Sequence, residues 1–201
     1  MTRPNRWRDE ADDFNDLLVR MKRVEMATLG NHPTSIEAAL PEYPQGGQDF
    51  YWSLPGGGQW HFRFNDRTGL WDFVGGPPMM DEVATNQSTS SASYTALSTA
   101  GPSLVVPFTG NYIVEIGCRA FLSTNAASTY MSYDIGATGA VDDDSVQQTA
   151  GTASAAFNAI RVRPKSFTAA DALVAKYKSS GSVSAVFADR FMRLTPVAIG
   201  S

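Results

Sequence analysis

From Tyr112 to Leu122 the residues Tyr112, Val114, Ile116, Cys118, Ala120 and Leu122 fall on one parity, with Glu115 and Arg119 on the other. A two-residue period describes a β-strand with one buried face. A strand of this length needs partners on both sides and a second layer over its apolar face, so it commits the chain to a mainly β fold with a core between sheets. Shorter candidates follow the same grammar: Ser103–Phe108, Thr129–Ile135, Ala155–Arg163, Leu173–Lys178 and Val183–Leu194, separated by Gly, Ser, Thr and Asn turns. No helical stretch lies between them. This spacing predicts a jelly-roll β-sandwich over residues 81–201.

Ahead of it stands an aromatic hairpin. In Trp60-His61-Phe62-Arg63-Phe64 rings alternate with polar residues, Asn65-Asp66-Arg67-Thr68-Gly69 supplies turn chemistry, and Trp71 and Phe73 flank Asp72. Gly75-Gly76-Pro77-Pro78 ends the unit. A lone hairpin is too small to be stable, so Trp60, Phe62, Trp71 and Phe73 are expected to be covered by other parts of the chain or by a neighbour. Residues 31–80 are read as one unit, an extended Pro- and Gly-rich connector carrying Tyr43, Phe50, Tyr51 and Trp52 followed by this hairpin, with a particle-anchoring role. A chain starting near Val83 is expected to fold alone.

Residues 1–30 read as an N-terminal helix. Asp9 to Leu29 contain neither Gly nor Pro, and Gly30 and Pro33 mark the stop. Phe14, Leu17, Met21 and Val24 are spaced three, four and three apart, the a/d pattern of a short coiled coil, which points to self-association. Docking of the same face on the chain's own β domain is the alternative.

Composition bounds the function. The net charge of −4 argues against general nucleic-acid binding, and no apolar run predicts membrane insertion or a signal peptide. Between Asp81 and Ile160 the acids are Asp81, Glu82, Glu115, Asp134, Asp142, Asp143 and Asp144 against the single base Arg119; from Arg161 onward the sign reverses. The two blocks are expected to pair, within one domain or between subunits. There is no phosphate-binding loop, nucleophile elbow or zinc-binding motif, so no catalytic, cofactor or metal residue is assigned. Asp142-Asp143-Asp144 lacks the spacing of a calcium loop and reads as a solvated acidic turn. His61 is expected on the solvated side of its hairpin, and Cys118 as a buried, inert thiol.

The stretch Gly101-Pro102-Ser103-Leu104-Val105-Val106-Pro107-Phe108-Thr109-Gly110-Asn111-Tyr112-Ile113-Val114-Glu115-Ile116 resembles the central strand pair of complement-type and tumour-necrosis-factor-type jelly rolls. Phe187-Ala188-Asp189-Arg190-Phe191-Met192-Arg193-Leu194-Thr195-Pro196-Val197 resembles their last core strand. The aromatic hairpin, the Ser/Thr-rich Ser88–Tyr94 segment and the Leu-Thr-Pro-Val end together resemble minor tail proteins of phages infecting actinobacteria. That resemblance implies a virion structural protein without enzymatic activity. It implies a homotrimer with other tail or baseplate proteins as partners, and a knob that either binds a host-surface glycan or only decorates and stabilises the particle; the missing signal peptide implies synthesis in the host cytoplasm. Three rivals stand beside it: a capsid decoration protein or head fibre, a carbohydrate-active tail enzyme, and a host-encoded cytokine-like or lectin-like module, against which the missing signal peptide counts.

Overall fold

The computed structural model describes residues 39–122, 127–149 and 156–200. In chain order the strands are β1 (Asp49–Ser53), β2 (Gln59–Asn65), β3 (Leu70–Gly75), β4 (Met79–Val83), β5 (Gln87–Thr89), β6 (Ser103–Val105), β7 (Gly110–Leu122), β8 (Ser128–Ile135), β9 (Val146–Thr149), β10 (Phe157–Phe167), β11 (Ala172–Ser179) and β12 (Ala185–Ile199). Single 3-10 turns occur at Asp142–Asp144 and Ser180–Ser182.

Two antiparallel sheets face each other. The front sheet runs β1-β2-β3-β12-β7-β10, with β4 and β5 also paired to β12, and the back sheet runs β6-β11-β8-β9. From β7 onward the chain alternates between them: β7 front, β8 and β9 back, β10 front, β11 back, β12 front. This is the jelly-roll path. Of the expected strands, Tyr112–Leu122 lies inside β7, and its six inward residues are all at most 5 % exposed. The others appear with ends shifted by a few residues, while β1, β4, β5 and β9 carry too little alternation to be read from the sequence.

β12 is the spine. One of its edges pairs with β7 along nearly its whole length. Its other edge takes three short strands in series: β5 at Ala185–Phe187, β4 at Arg190–Leu194 and β3 at Ala198–Ile199. Two glycines on β7 allow the close packing this needs. A Cβ at Gly110 would lie 2.4 Å from the Ala198 carbonyl oxygen, and one at Gly117 would lie 2.5 Å from the Phe191 ring.

The structure revises the reading of residues 31–80. The connector holds a strand, β1, paired in register with β2, so the expected hairpin is a three-stranded meander that extends the front sheet. Its inner face carries Phe50, Trp60, Phe62 and Trp71, all at most 3 % exposed, with Phe73 half-buried. These rings meet the sandwich directly. Phe108 stands 5.8 Å from Phe50, 5.4 Å from Trp52 and 6.3 Å from Phe62, centroid to centroid, and Tyr112 stands 6.4 Å from Trp60. The boundary expected at residue 81 falls within β4, and one hydrophobic core spans both sides of it. The expected helix, with Phe14, Leu17, Met21 and Val24, lies outside the described residues. Among the described residues no helix is long and apolar enough to cross a membrane.

Candidate functional site

The most elaborated polar surface lies along one open side of the sandwich, where the back sheet's edge strand β9 and the turn before it face β10, the edge of the front sheet. The sequence builds this side in two steps. β8 ends at the tight turn Ile135–Thr138, and the returning chain is held by Asp134, which accepts from the Ala140 amide at 2.8 Å, and by Ser132, which donates to the Val141 carbonyl at 2.8 Å. Asp142–Asp144 then forms its 3-10 turn instead of a strand, capped by Ser145, whose hydroxyl and amide both bond the Asp142 carbonyl. Across from it, β10 turns Arg161, Arg163 and Lys165 inward on alternate residues.

The three aspartates do not converge. Asp142 lies 2.6 Å from the Lys178 ammonium and accepts from the Tyr94 hydroxyl at 2.8 Å. The Lys178 hydrogen bond first, and the Tyr94 bond after it, hold its carboxyl below the ordinary value. Asp144 points inward and is 4 % exposed, pairing with Lys165 at 2.6 Å. At Asp143 it is the main-chain oxygen that is used, accepting from Arg163 at 2.7 Å and from Arg161 at 3.2 Å. Among the described residues no group of three or more His, Cys, Asp or Glu stands together as a metal site.

This arrangement resolves the charge asymmetry of the sequence. The acidic and basic blocks pair within one chain: Lys165 with Asp144, Lys176 with Asp134, Lys178 with Asp142 and Arg193 with Glu115. Lys178 also sits between two rings, 4.7 Å from the centroid of Tyr94 and 4.5 Å from that of Tyr130. Lys178, Tyr130 and Gln147 are direct cross-strand partners on β11, β8 and β9. They form a row across the outer face of the back sheet, with Asp142 at one side.

His61 is on the outward side of its strand but is not simply solvated. It stacks on Tyr51 at 4.4 Å between centroids and contacts Asp49 at 2.8 Å, where Arg63 also binds at 3.0 Å. Burial raises the Asp49 carboxyl, but the bonds from Arg63 and His61 outweigh it and leave the group below the ordinary 3.8. A depressed folded-state value contributes stability that is complete above the unfolded value and is lost as pH falls through the folded one. Asp49→Asn is therefore expected to flatten the acid limb of stability below about pH 4 and to be nearly silent as a pH effect at neutrality. Urea unfolding of both proteins from pH 2 to 7 checks this; parallel acid limbs would contradict it. Cys118 is buried, and burial pushes its thiol up to about 12, so it is protonated at neutral pH.

Sequence reading missed Arg190, which is fully buried. It donates to the Thr85 carbonyl at 2.9 Å and the Thr99 carbonyl at 3.4 Å and lies over the Tyr177 ring. It ties two loops to β12 and so acts in the framework. Of the hairpin rings, Trp60, Phe62 and Trp71 likewise belong to the core, and Phe73 packs against it.

No family model matches the chain, and no characterised protein matches it in sequence. Solved structures with some similarity include a tumour necrosis factor, Eiger, of S. frugiperda, at 12 % identity over 62 % of this chain and 96 % of that one, with a TM-score of 0.43. A carbohydrate-binding module of Cellvibrio mixtus lichenase 5A, solved with cellotriose, is 13 % identical over 81 % of this chain and 95 % of that one, with a TM-score of 0.27. The xylan-binding domain CBM22-1 of Paenibacillus barcinonensis Xyn10C is 15 % identical over 77 % of this chain and 99 % of that one, with a TM-score of 0.33.

Proposed function

We propose that this chain is a non-enzymatic structural protein of a bacteriophage particle, a minor tail protein that forms a homotrimer and displays its jelly roll toward a host-surface glycan. The observation that carries the self-association is the outer face of the front sheet. Val162 on β10 is 54 % exposed, and Met80 on β4 is 45 % exposed. Between them lie Ile113 and the ring of Phe191, with Arg193–Glu115 as the ion pair among them. An antiparallel sheet that faces water on one side ordinarily alternates polar outward; here apolar side chains on four strands share the outward face with charged ones, among them the Arg193–Glu115 pair. A closed ring of three requires two different complementary patches on each copy. The outer face of the front sheet supplies one of these patches.

Light scattering of the full chain at micromolar concentration is expected to give three times the 21.7 kDa chain mass. Val162→Asp, which sets a carboxylate opposite Glu115, is expected to shift the mass toward one chain while leaving the fold intact. A monomer mass for the unaltered chain would overturn the trimer. Absence of the chain from purified particles by mass spectrometry would overturn the virion role.

A further inference from the structure

The open side of the sandwich holds a cleft of about 330 Å³ whose banks are Asp142, Asp143, Ser145 and Gln147 on one side and Ile160 and Arg161 on the other. We infer that this cleft is the carbohydrate subsite of the knob and that it takes a neutral, hydroxyl-rich sugar residue. The inference rests on the display function proposed above and assigns it a place.

Three features point to this ligand class. The lining residues bring acceptors and donors into one small space: Asp142, Asp143, Ser145 and Gln147 on one bank and Arg161 on the other. A sugar hydroxyl both donates and accepts, so vicinal hydroxyls are matched by a lining that offers both kinds of group. Second, the donors are not all spent internally. Nε of Arg161 is shielded from solvent and has no hydrogen-bond partner among the described residues, although its Nη2 donates to Asp143. A buried unsatisfied donor is costly, and a small rotation of the guanidinium into the cleft would let a ligand hydroxyl satisfy it. Third, apolar surface for the sugar's C–H faces adjoins the polar lining. Ile160 forms one lip, and Tyr130, the direct cross-strand partner of Gln147, lies next to the other.

Charge selects among sugars. The charges around the cleft are committed to one another: the Lys178 ammonium is held by Asp142 at 2.6 Å, and Arg161 and Arg163 both donate to the Asp143 carbonyl. Each of these cations already has an acceptor within the chain, so a neutral residue fits the cleft better than a uronic acid.

The test is an NMR titration of the full, isotope-labelled chain with neutral hexasaccharides built from glucose, galactose, mannose or xylose, and with hexagalacturonate as the acidic counterpart. At least one neutral hexasaccharide is expected to shift the Arg161 Nε–H and Gln147 side-chain signals saturably. Arg161→Ala and Gln147→Ala are each expected to raise its Kd about ten-fold, the size of one well-placed hydrogen bond. Lys176→Ala, on the same sheet but outside the cleft, is expected to leave it unchanged. The assignment is overturned if no neutral hexasaccharide moves those signals, if only hexagalacturonate does, or if both cleft variants bind as the unaltered chain. Gln147 is surface-exposed, so its variant decides the matter even if Arg161→Ala unfolds. Light scattering on the same samples separates the two readings: a trimer that binds no sugar overturns the cleft alone.

Discussion

A chain shortened to begin at Val83 is expected to lose cooperative folding and to collect in the insoluble fraction. The cut removes β1, β2, β3 and nearly all of β4. Three consequences follow from the structure. The lid over Phe108 and Tyr112 goes, since Phe50, Trp52, Trp60 and Phe62 are the rings packed on them. At roughly 1.5–3 kcal/mol for each large side chain buried, the lost burial of Phe50, Trp60, Phe62 and Trp71 alone rivals the whole stability of an ordinary domain. The edge of β12 from Arg190 to Leu194 loses the strand that pairs with it and becomes an open, apolar edge of the kind that aggregates. Finally, Asp81 no longer accepts from the Ser103 amide at 2.7 Å, a bond that joins β4 to the start of β6. Expression of residues 83–201 beside the full chain, with circular dichroism and thermal melts of any soluble product, checks this. A soluble product with a sharp transition would show that the sandwich closes its core without the meander.

The sandwich itself was legible because its central strands repeat with period two, and burial enforces that period. On β7 each residue of the apolar parity is in the core, and Tyr112 closes the pattern by donating its hydroxyl to the Phe108 carbonyl at 2.6 Å. The unity of meander and sandwich was not legible. Pro77-Pro78 and the Ser/Thr-rich run after Val83 look like a linker, and β4 and β5 carry no alternation; they are strands because β12 offers them an edge, which is a tertiary cause. The candidate cleft was hidden for a related reason. Sequence showed Asp142-Asp143-Asp144 and the basic residues after Ile160 as two blocks, but not that a 3-10 turn would split the three carboxylates while β10 aimed alternate bases at it.

Arg190 was hidden by a bulge that the sequence does in fact record. Ala185 and Phe187 are apolar on odd positions, whereas Met192 and Leu194 are apolar on even ones. The parity changes because β12 shifts register against β7 between Ala188 and Phe191, with Asp189 at a φ of 46°. A bulge turns the following side chains to the other face, which carries Arg190 into the core beside Tyr177. The same feature leaves Phe191 on the outer face over Gly117, where it contributes to the apolar surface proposed to join subunits.

Trp60→Ala is expected to destabilise the whole sandwich by about 3–5 kcal/mol, the usual range for deleting a large aromatic side chain from a packed core. The residue is fully buried. Its ring lies 5.2 Å from Trp52, 6.0 Å from Phe62, 6.3 Å from Phe73 and 6.4 Å from Tyr112, so it touches the meander and the sandwich at once. Gly76, at a φ of 137°, packs so closely here that a Cβ on it would lie 2.3 Å from the Gln59 carbonyl oxygen and 3.0 Å from the Trp60 ring. The indole N–H donates to the Pro77 carbonyl at 2.7 Å, and truncation leaves that acceptor without its donor. Trp60→Phe separates the two contributions: it keeps most of the apolar surface, loses the hydrogen bond, and is expected to cost about 1–3 kcal/mol. Urea unfolding followed by tryptophan fluorescence and by circular dichroism reads both variants. Because the ring belongs to a shared core, the two probes are expected to move together to a lower midpoint in a single transition. A variant in which fluorescence changes first, while the far-ultraviolet signal of the sheets melts at the original midpoint, would show that the meander and the sandwich unfold as separate units.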